Sequence, residues 1–154
     1  MDVVQATFAV SHTVARSPRT DAQEDQTRVT PETNPSSGAY EAFQEGSRLL
    51  DTANPHAAVV ALERARALEP EKGSIREALG RAYFRCGQFP AARSEFARAV
   101  DLDPVNDYAH FGLGLSLIRV GDPAGARRHL KLAVAMRPLD EYREALEQVT
   151  NSAH

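Results

Sequence analysis

A period of 34 residues constrains this chain more than any other feature of its sequence. Gly80, Ala92, Ala99 and Pro104 each have an identical residue 34 positions upstream and 34 positions downstream. The partners are Gly46, Ala58, Ala65 and Pro70 in the preceding copy and Gly114, Ala126, Ala133 and Pro138 in the following copy. Four identities in register across three copies define an internal repeat, and a period of roughly 20–50 residues indicates a solenoid or a similar array.

Each copy of the repeat contains two stretches with helical spacing. In the middle copy, Ile75, Leu79 and Tyr83 form one apolar stripe, Gly87 interrupts it, and a second stripe runs from Ala92 to Val100. Asn54-Pro55 and Asp122-Pro123 each offer an N-cap followed by proline at the first helical position, and Asn106 and Asp140 can cap in the same way. The unit is therefore predicted to be helix, tight turn, helix, tight turn.

This unit resembles the tetratricopeptide repeat, a helix–turn–helix motif of the same length. In the middle copy the motif reads Leu79-Gly80-x2-Tyr83, Ala92-x3-Phe96, Ala99 and Pro104. There are two departures: Glu45 replaces the motif leucine of the first copy, and the bulky motif position holds Ala42, Arg76 and His110. We therefore expect the first unit to pack more loosely than the other two and to have a frayed edge.

The resemblance implies an all-α, right-handed superhelical solenoid of three units. We place the units at 39–72, 73–106 and 107–140, in a domain spanning 38–150 that ends with a capping helix at 141–150. Residues 1–37 and 151–154 are predicted to be disordered, since 17–38 are rich in polar residues and proline and almost lack large apolar ones. Alternating apolar residues at 3–14 leave open a docking segment, in which Phe8 and Val10 would enter the array.

The sequence offers no pattern typical of an enzyme, a cofactor site or a metal site. The five histidines (12, 56, 110, 129 and 154) have no ligand spacing, and no glycine-rich phosphate loop is present. Cys86 has no histidine near it in the sequence and is interpreted as a small packing residue. We expect no catalysis, no cofactor and no metal.

Charge gives no support to nucleic-acid or membrane binding. Residues 39–140 contain 14 basic and 13 acidic residues, so the stretch from Arg127 to Lys131 is interpreted as a solvated helix face. No run of about 18 apolar residues occurs, and Asp2 lies where a secretory signal would be positive. A lone cysteine predicts a cytoplasmic location, and the excess of arginine over lysine, 16 to 2, suggests a bacterial source.

The first helix of each unit lines a concave groove in arrays that this sequence resembles. Mapped onto this chain, the groove is predicted to be lined by Tyr40, Phe43, Ser47, Leu50, Ser74, Glu77, Arg81, Phe84, Arg85, Tyr108, Phe111, Leu115, Ile118 and Arg119. Phe43, Tyr108 and Phe111 are expected to be substantially exposed, and Glu77 is expected to pair with Arg81 at i, i+4. Positions at which some family members clamp a terminal carboxylate hold no basic residue here: Phe43, Ser47, Ala78, Tyr108 and Gly112.

These patterns favour a protein–protein interaction module that holds a peptide or an amphipathic helix in its concave groove. Self-association through the groove or the open first unit is the alternative. An enzyme or a nucleic-acid binder would need a clustered polar site, which the sequence lacks. The identity of the partner is not encoded in any recognisable motif.

Overall fold

Seven consecutive α-helices make up the computed structural model, which describes residues 35–152. They are α1 (Pro35–Asp51), α2 (Pro55–Leu68), α3 (Gly73–Arg85), α4 (Phe89–Leu102), α5 (Asp107–Arg119), α6 (Pro123–Met136) and α7 (Asp140–Ser152). Three helical pairs and a final helix confirm the predicted all-α, right-handed solenoid. Helix α1 begins before the predicted boundary at 38, and α7 continues through residues 151 and 152. The rest of the predicted N-terminal tail, including the 3–14 pattern, lies outside the described residues.

The helices form two layers. Helices α1, α3, α5 and α7 each contact the next member of their own set, whereas α2, α4 and α6 contact only helices that precede or follow them in the chain. The first set is therefore the more closely spaced inner layer, and the array curves so that its concave face is made by α1, α3, α5 and α7. Every predicted groove residue lies on this inner layer.

The turn inside each unit uses one residue with positive φ. Gly87 and Gly121 have φ of 78° and 89°, and the equivalent residue of the first unit is Ala53, with φ of 61°. Side chains Asn54, Asn106 and Asp122 accept hydrogen bonds from backbone N–H groups of the helices that follow, as predicted. Asp140 differs from the prediction, because it is the first residue of α7 and its carboxylate accepts from Arg143.

Glycine allows the two helices of each unit to approach closely. A Cβ atom added to Gly80 would lie 2.9 Å from the ring of Phe96, which is closer than real Cβ contacts. The same relation joins Gly46 to Leu62 and Gly114 to Leu130. Leu62 and Ala58 have no exposed surface, so the expectation of looser packing in the first unit is wrong.

Phe96 also contacts the next unit through a second glycine. A Cβ on Gly112 would approach the opposite edge of the Phe96 ring more closely than 3.0 Å. One repeat earlier the equivalent residues are Leu62 and Ala78, both buried in the same core cluster. The larger ring in the middle unit is thus matched by the smaller residue on α5.

We predict that Gly112→Ala lowers the free energy of unfolding by about 1–3 kcal/mol through overpacking against Phe96. Adding Phe96→Leu places a leucine against an alanine, as Leu62 and Ala78 do between the first two units. The double variant should therefore be more stable than Gly112→Ala alone. Urea unfolding followed by circular dichroism measures both. Gly73→Ala, whose Cβ would have its nearest neighbour at 3.9 Å, is the control and should not be destabilised. A double variant no more stable than Gly112→Ala would contradict the matching of ring to glycine.

Arg76, at the bulky motif position of the second unit, forms a buried ion pair. Its guanidinium donates to Glu95 at 3.0 Å and to the carbonyl of Pro70 at 2.9 Å. Arg66 of α2 donates to the second carboxylate oxygen of Glu95, whose side chain is 7% exposed. Helices α2, α3 and α4 are therefore joined at one carboxylate.

His110, at the same position of the third unit, makes the equivalent contacts with different chemistry. Its Nε2 lies 2.9 Å from the Pro104 carbonyl, and its Nδ1 lies 3.1 Å from Nδ1 of His129. Because Nε2–H must donate to the carbonyl, Nδ1 of His110 accepts and Nδ1–H of His129 donates. Two histidines that look unrelated in the sequence thus form a stacked pair, with ring centroids 5.3 Å apart.

The two polar pairs occupy identical places in the repeat, 19 residues apart within each unit. The first unit has two buried alanines there, Ala42 and Ala61. Each unit has a compatible pair at these two positions: two alanines in the first, arginine with glutamate in the second, and two histidines in the third. The three repeats therefore vary these two positions together, and the departure at the bulky position is compensated on the second helix.

We predict that Glu95→Leu costs about 3 kcal/mol of stability, since it leaves Arg76 without its buried counter-charge. Arg76→Met together with Glu95→Leu replaces the pair by apolar groups of similar size and should recover at least half of that loss. Thermal and urea unfolding of the two variants test this. Equal stability of the single and double variants would show that the two side chains are not coupled.

The His110–His129 pair predicts acid sensitivity. Burial lowers the pKa of His129 below its ordinary 6.5, His110 and Arg128 lower it further, and Asp122 opposes them. The unfolded chain therefore binds this proton more readily, so the stability contribution is complete above about pH 6.5 and falls as the pH drops below it. When the pH is lowered from 7.5 to 5, we expect the melting temperature of His129→Gln to fall less than that of the wild type, because glutamine can still donate to His110 and does not take up a proton. An equal loss would contradict this assignment.

Both ends of the solenoid present charged residues where the interior presents apolar ones. Ile75, Leu79 and Ala82 of α3 are buried. The equivalent residues of α1 are exposed: Glu41, Glu45 and Arg48, of which the last two form an ion pair at 2.7 Å. In α7, Tyr142, Ala145 and Val149 are buried, and the outward positions hold Glu144, Glu147, Gln148 and Asn151.

Candidate functional site

The predicted groove residues lie along the inner layer with very different exposures. Tyr40, Ser74, Arg85 and Arg119 are exposed. Most of the others are partly buried: Phe43, Ser47, Glu77, Arg81, Phe84, Tyr108, Phe111, Leu115 and Ile118. Leu50 is 1% exposed and belongs to the hydrophobic core, so its assignment to the groove is wrong. At the end of α1 it lies on the side of the helix that packs against the other core residues.

The prediction that Phe43, Tyr108 and Phe111 are substantially exposed and unnecessary for the core is also wrong. Tyr108 stacks on Phe96 with ring centroids 6.5 Å apart, and Phe111 stacks on Tyr142 at 4.6 Å. Phe43 packs against both core clusters. These rings are long enough to lie across the inner face and reach neighbouring helices, which a helical projection of one segment does not reveal.

A cleft opens on the inner face between α3 and α5. Its volume is about 90 Å³, and it is lined by Arg81, Phe84, Arg85, Phe96, Tyr108, Phe111, Gly112 and Leu115. Six of these eight residues belong to the predicted groove. Phe96 and Gly112 were missed, and they explain the cleft: because Gly112 has no side chain, the Phe96 ring forms its floor. The repeat itself carried the signal, since Ala78 occupies the equivalent position one unit earlier.

A second cleft lies between α1 and α3. Its volume is about 330 Å³, and its walls are Ala39, Tyr40, Phe43, Glu69, Lys72, Ser74 and Ile75. Tyr40 is 60% exposed at its rim. The inner face therefore brings the predicted residues together in two groups, an apolar one at the first unit and an aromatic and cationic one between the second and third.

Three arginines line the second half of the groove: Arg81, Arg85 and Arg119. The guanidinium of Arg81 lies over the ring of Tyr108 at 5.9 Å, and that of Arg119 lies over Phe84 and Phe89 at 5.2 and 4.7 Å. Arg85 donates to the Leu50 carbonyl at 2.8 Å. The expected Glu77–Arg81 ion pair does not form, since it is absent from the six ion pairs within residues 35–152.

Burial changes the ionisation of the groove side chains that lie deepest. It raises the pKa of Glu77, although Asn106 and the positive charge of Arg81 act in the opposite direction. Burial also raises the pKa of the Tyr108 hydroxyl, which therefore stays protonated at neutral pH and remains a hydrogen-bond donor. The groove thus combines neutral phenol and apolar rings with cationic guanidinium groups.

Other chemistry is sparse in the part of the chain that the structure describes. No group of three or more metal-ligating side chains comes together within residues 35–152. Burial raises the pKa of the Cys86 thiol, which keeps it protonated and weakly nucleophilic at neutral pH. None of the described helices combines the length and apolar content needed to cross a membrane.

Comparison with known proteins defines the family. The sequence profile of the tetratricopeptide repeat matches residues 43–106, and a second match that overlaps the first covers residues 78–143. Together these matches cover most of the described helices. The chain therefore belongs to the tetratricopeptide repeat family. The sequence has no match among the curated proteins.

Solved structures with the same fold share little sequence with this chain. The first TPR of Spaghetti (RPAP3), bound to an HSP90 peptide, superposes with a TM-score of 0.73 at 18% identity, covering 77% of this chain and 94% of that one. The TPR2B domain of yeast Sti1, in complex with an Hsp70 peptide, gives 0.72 at 21% identity, covering 76% and 99%. MamA gives 0.73 at 20% identity, covering 79% and 71%.

Proposed function

We propose that this protein is an adaptor that holds a peptide or an amphipathic helix of another protein on its concave face. The observation that carries the proposal is the cleft beside Gly112, where aromatic side chains and cationic guanidinium groups converge on an open surface. Concave sites with apolar walls and a few placed polar groups are typical of peptide recognition. Two structures of the same fold contain bound chaperone peptides, which supports a peptide-binding role.

Self-association is the alternative, and the two ends of the array argue against one form of it. Stacking end to end would bury the exposed charges of α1 and α7, such as Glu41 and Glu147, without partners. Pairing through the groove remains the competing arrangement. The free thiol of Cys86 supports a reducing compartment, and we propose the cytoplasm as the location.

Site-specific photo-cross-linking in the source cells tests the proposal. The photoreactive residue p-benzoylphenylalanine replaces Ser74 on the concave face or Ser94 on the outer helix α4, both of which are exposed. We expect cross-links to another protein from position 74 and none from position 94. Sedimentation velocity over a hundredfold concentration range accompanies the experiment.

Cross-links from position 94 alone would place the binding surface on the outer layer and contradict the proposal. Cross-links from position 74 to a second copy of the chain, with a sedimentation coefficient that rises with concentration, would establish the self-association alternative instead.

A further inference from the structure

Two arginines of the cleft, Arg81 and Arg85, form no ion pair within residues 35–152, as is true of five other arginines in that range, and they differ from most of those in lining a concave cleft. Within residues 35–152, six ion pairs form between side chains, and they use Arg48, Arg66, Arg76, Arg98, Arg137 and Arg143. Neither Arg81 nor Arg85 takes part, although both line the cleft beside Gly112. Two cationic groups on one concave wall therefore form no ion pair with this part of the chain.

The two guanidinium groups are held in place without being neutralised. Arg81 is supported by the face of the Tyr108 ring, and one nitrogen of Arg85 donates to the Leu50 carbonyl. A guanidinium has five N–H donors, so each group keeps several for a ligand. Holding these side chains before binding reduces the entropy that a ligand must overcome. The one acid on α3, Glu77, lies four residues before Arg81 and is partly buried, but the two side chains form no ion pair.

The cleft between them limits the size of an apolar anchor. Its volume is about 90 Å³, and its floor and walls include Phe96, Phe111 and Leu115. An engineered protein cavity of about 150 Å³ holds benzene. The cleft is therefore too small to enclose an aromatic ring and suits a branched aliphatic side chain.

We infer that the cleft binds an internal acidic segment of a partner protein, in which an aliphatic side chain enters beside Gly112 and flanking carboxylates pair with Arg81 and Arg85. The inference rests on the proposed peptide-binding function and specifies its ligand. Arginine is suited to this role because its planar fork binds carboxylates through two hydrogen bonds. A free chain terminus is not required, since the recognition uses side chains on both sides of the anchor.

A titration of the ¹⁵N-labelled full chain, followed by nuclear magnetic resonance, tests the inference. The probe is the acetylated and amidated peptide DEDLEDE, and the matched peptides are NQNLNQN, which lacks charge, and DEDAEDE, which lacks the anchor. We expect DEDLEDE to shift the amide of Gly112 and its neighbours, and both matched peptides to bind at least about tenfold more weakly. Affinity should fall as salt is raised.

Two double variants each remove two positive charges, one from the concave face and the other from the outer layer of helices. Arg81→Gln with Arg85→Gln should weaken DEDLEDE binding at least about tenfold, whereas Arg127→Gln with Arg128→Gln on α6 should leave it unchanged. Circular dichroism verifies that both variants stay folded. Equal weakening by the two variants, or equal binding of DEDLEDE and NQNLNQN, would overturn the inference.

The failure of this inference is distinguishable from the failure of the proposed function. Shifts at Gly112 with NQNLNQN equal to those with DEDLEDE would keep the groove as a peptide site and reject the acidic ligand. A peptide of residues 17–34 of this chain is titrated as a third probe. Tighter binding of that peptide than of DEDLEDE would make the chain's own N-terminal segment the occupant and overturn the assignment to a partner.

Discussion

The ring of Phe96, held between a glycine of its own unit and a glycine of the next, connects the fold to the site. Gly80 lets α3 and α4 close around the ring, and Gly112 lets α5 approach it from the other side. The same absence of a side chain at position 112 leaves the cleft on the inner face, with the ring as its floor. One packing contact therefore fixes the distance between the second and third units and shapes the surface proposed to bind a ligand.

The architecture could be predicted from the sequence because its determinants repeat locally. Glycine, alanine and proline recur at fixed positions, and each explains a short-range feature such as a turn or a close helix contact. The coupled pairs could not be found in this way. Arg76 and Glu95, like His110 and His129, lie on different helices, and their chemistry changes from one repeat to the next. Comparison with the family motif reveals an unusual residue at one position, but it does not reveal which residue on another helix compensates for it.

The candidate site was predicted in outline and not in detail. Helical periodicity places Arg81, Tyr108 and Phe111 on the inner face, where the structure has them. Periodicity does not describe how far a side chain extends, so the rings appear free when they in fact stack on residues of α4 and α7. The expected ion pair of Glu77 with Arg81 is absent for a related reason, because i, i+4 spacing brings two side chains onto one face without fixing how each of them is oriented.

The charged ends of the array determine how a protein of this kind can lengthen. A unit copied and joined after α7 would have to cover Glu144 and Glu147, and a unit placed before α1 would have to cover Glu41 and Glu45. Burying these charged groups costs free energy that the contacts with an added unit would have to offset. Duplication of the middle unit would bury none of these carboxylates, and it would need only a local change where Phe96 of the first copy meets Ala78 of the second in place of Gly112. Growth of the array from within, by internal duplication, would therefore extend the groove while leaving both terminal helices unchanged.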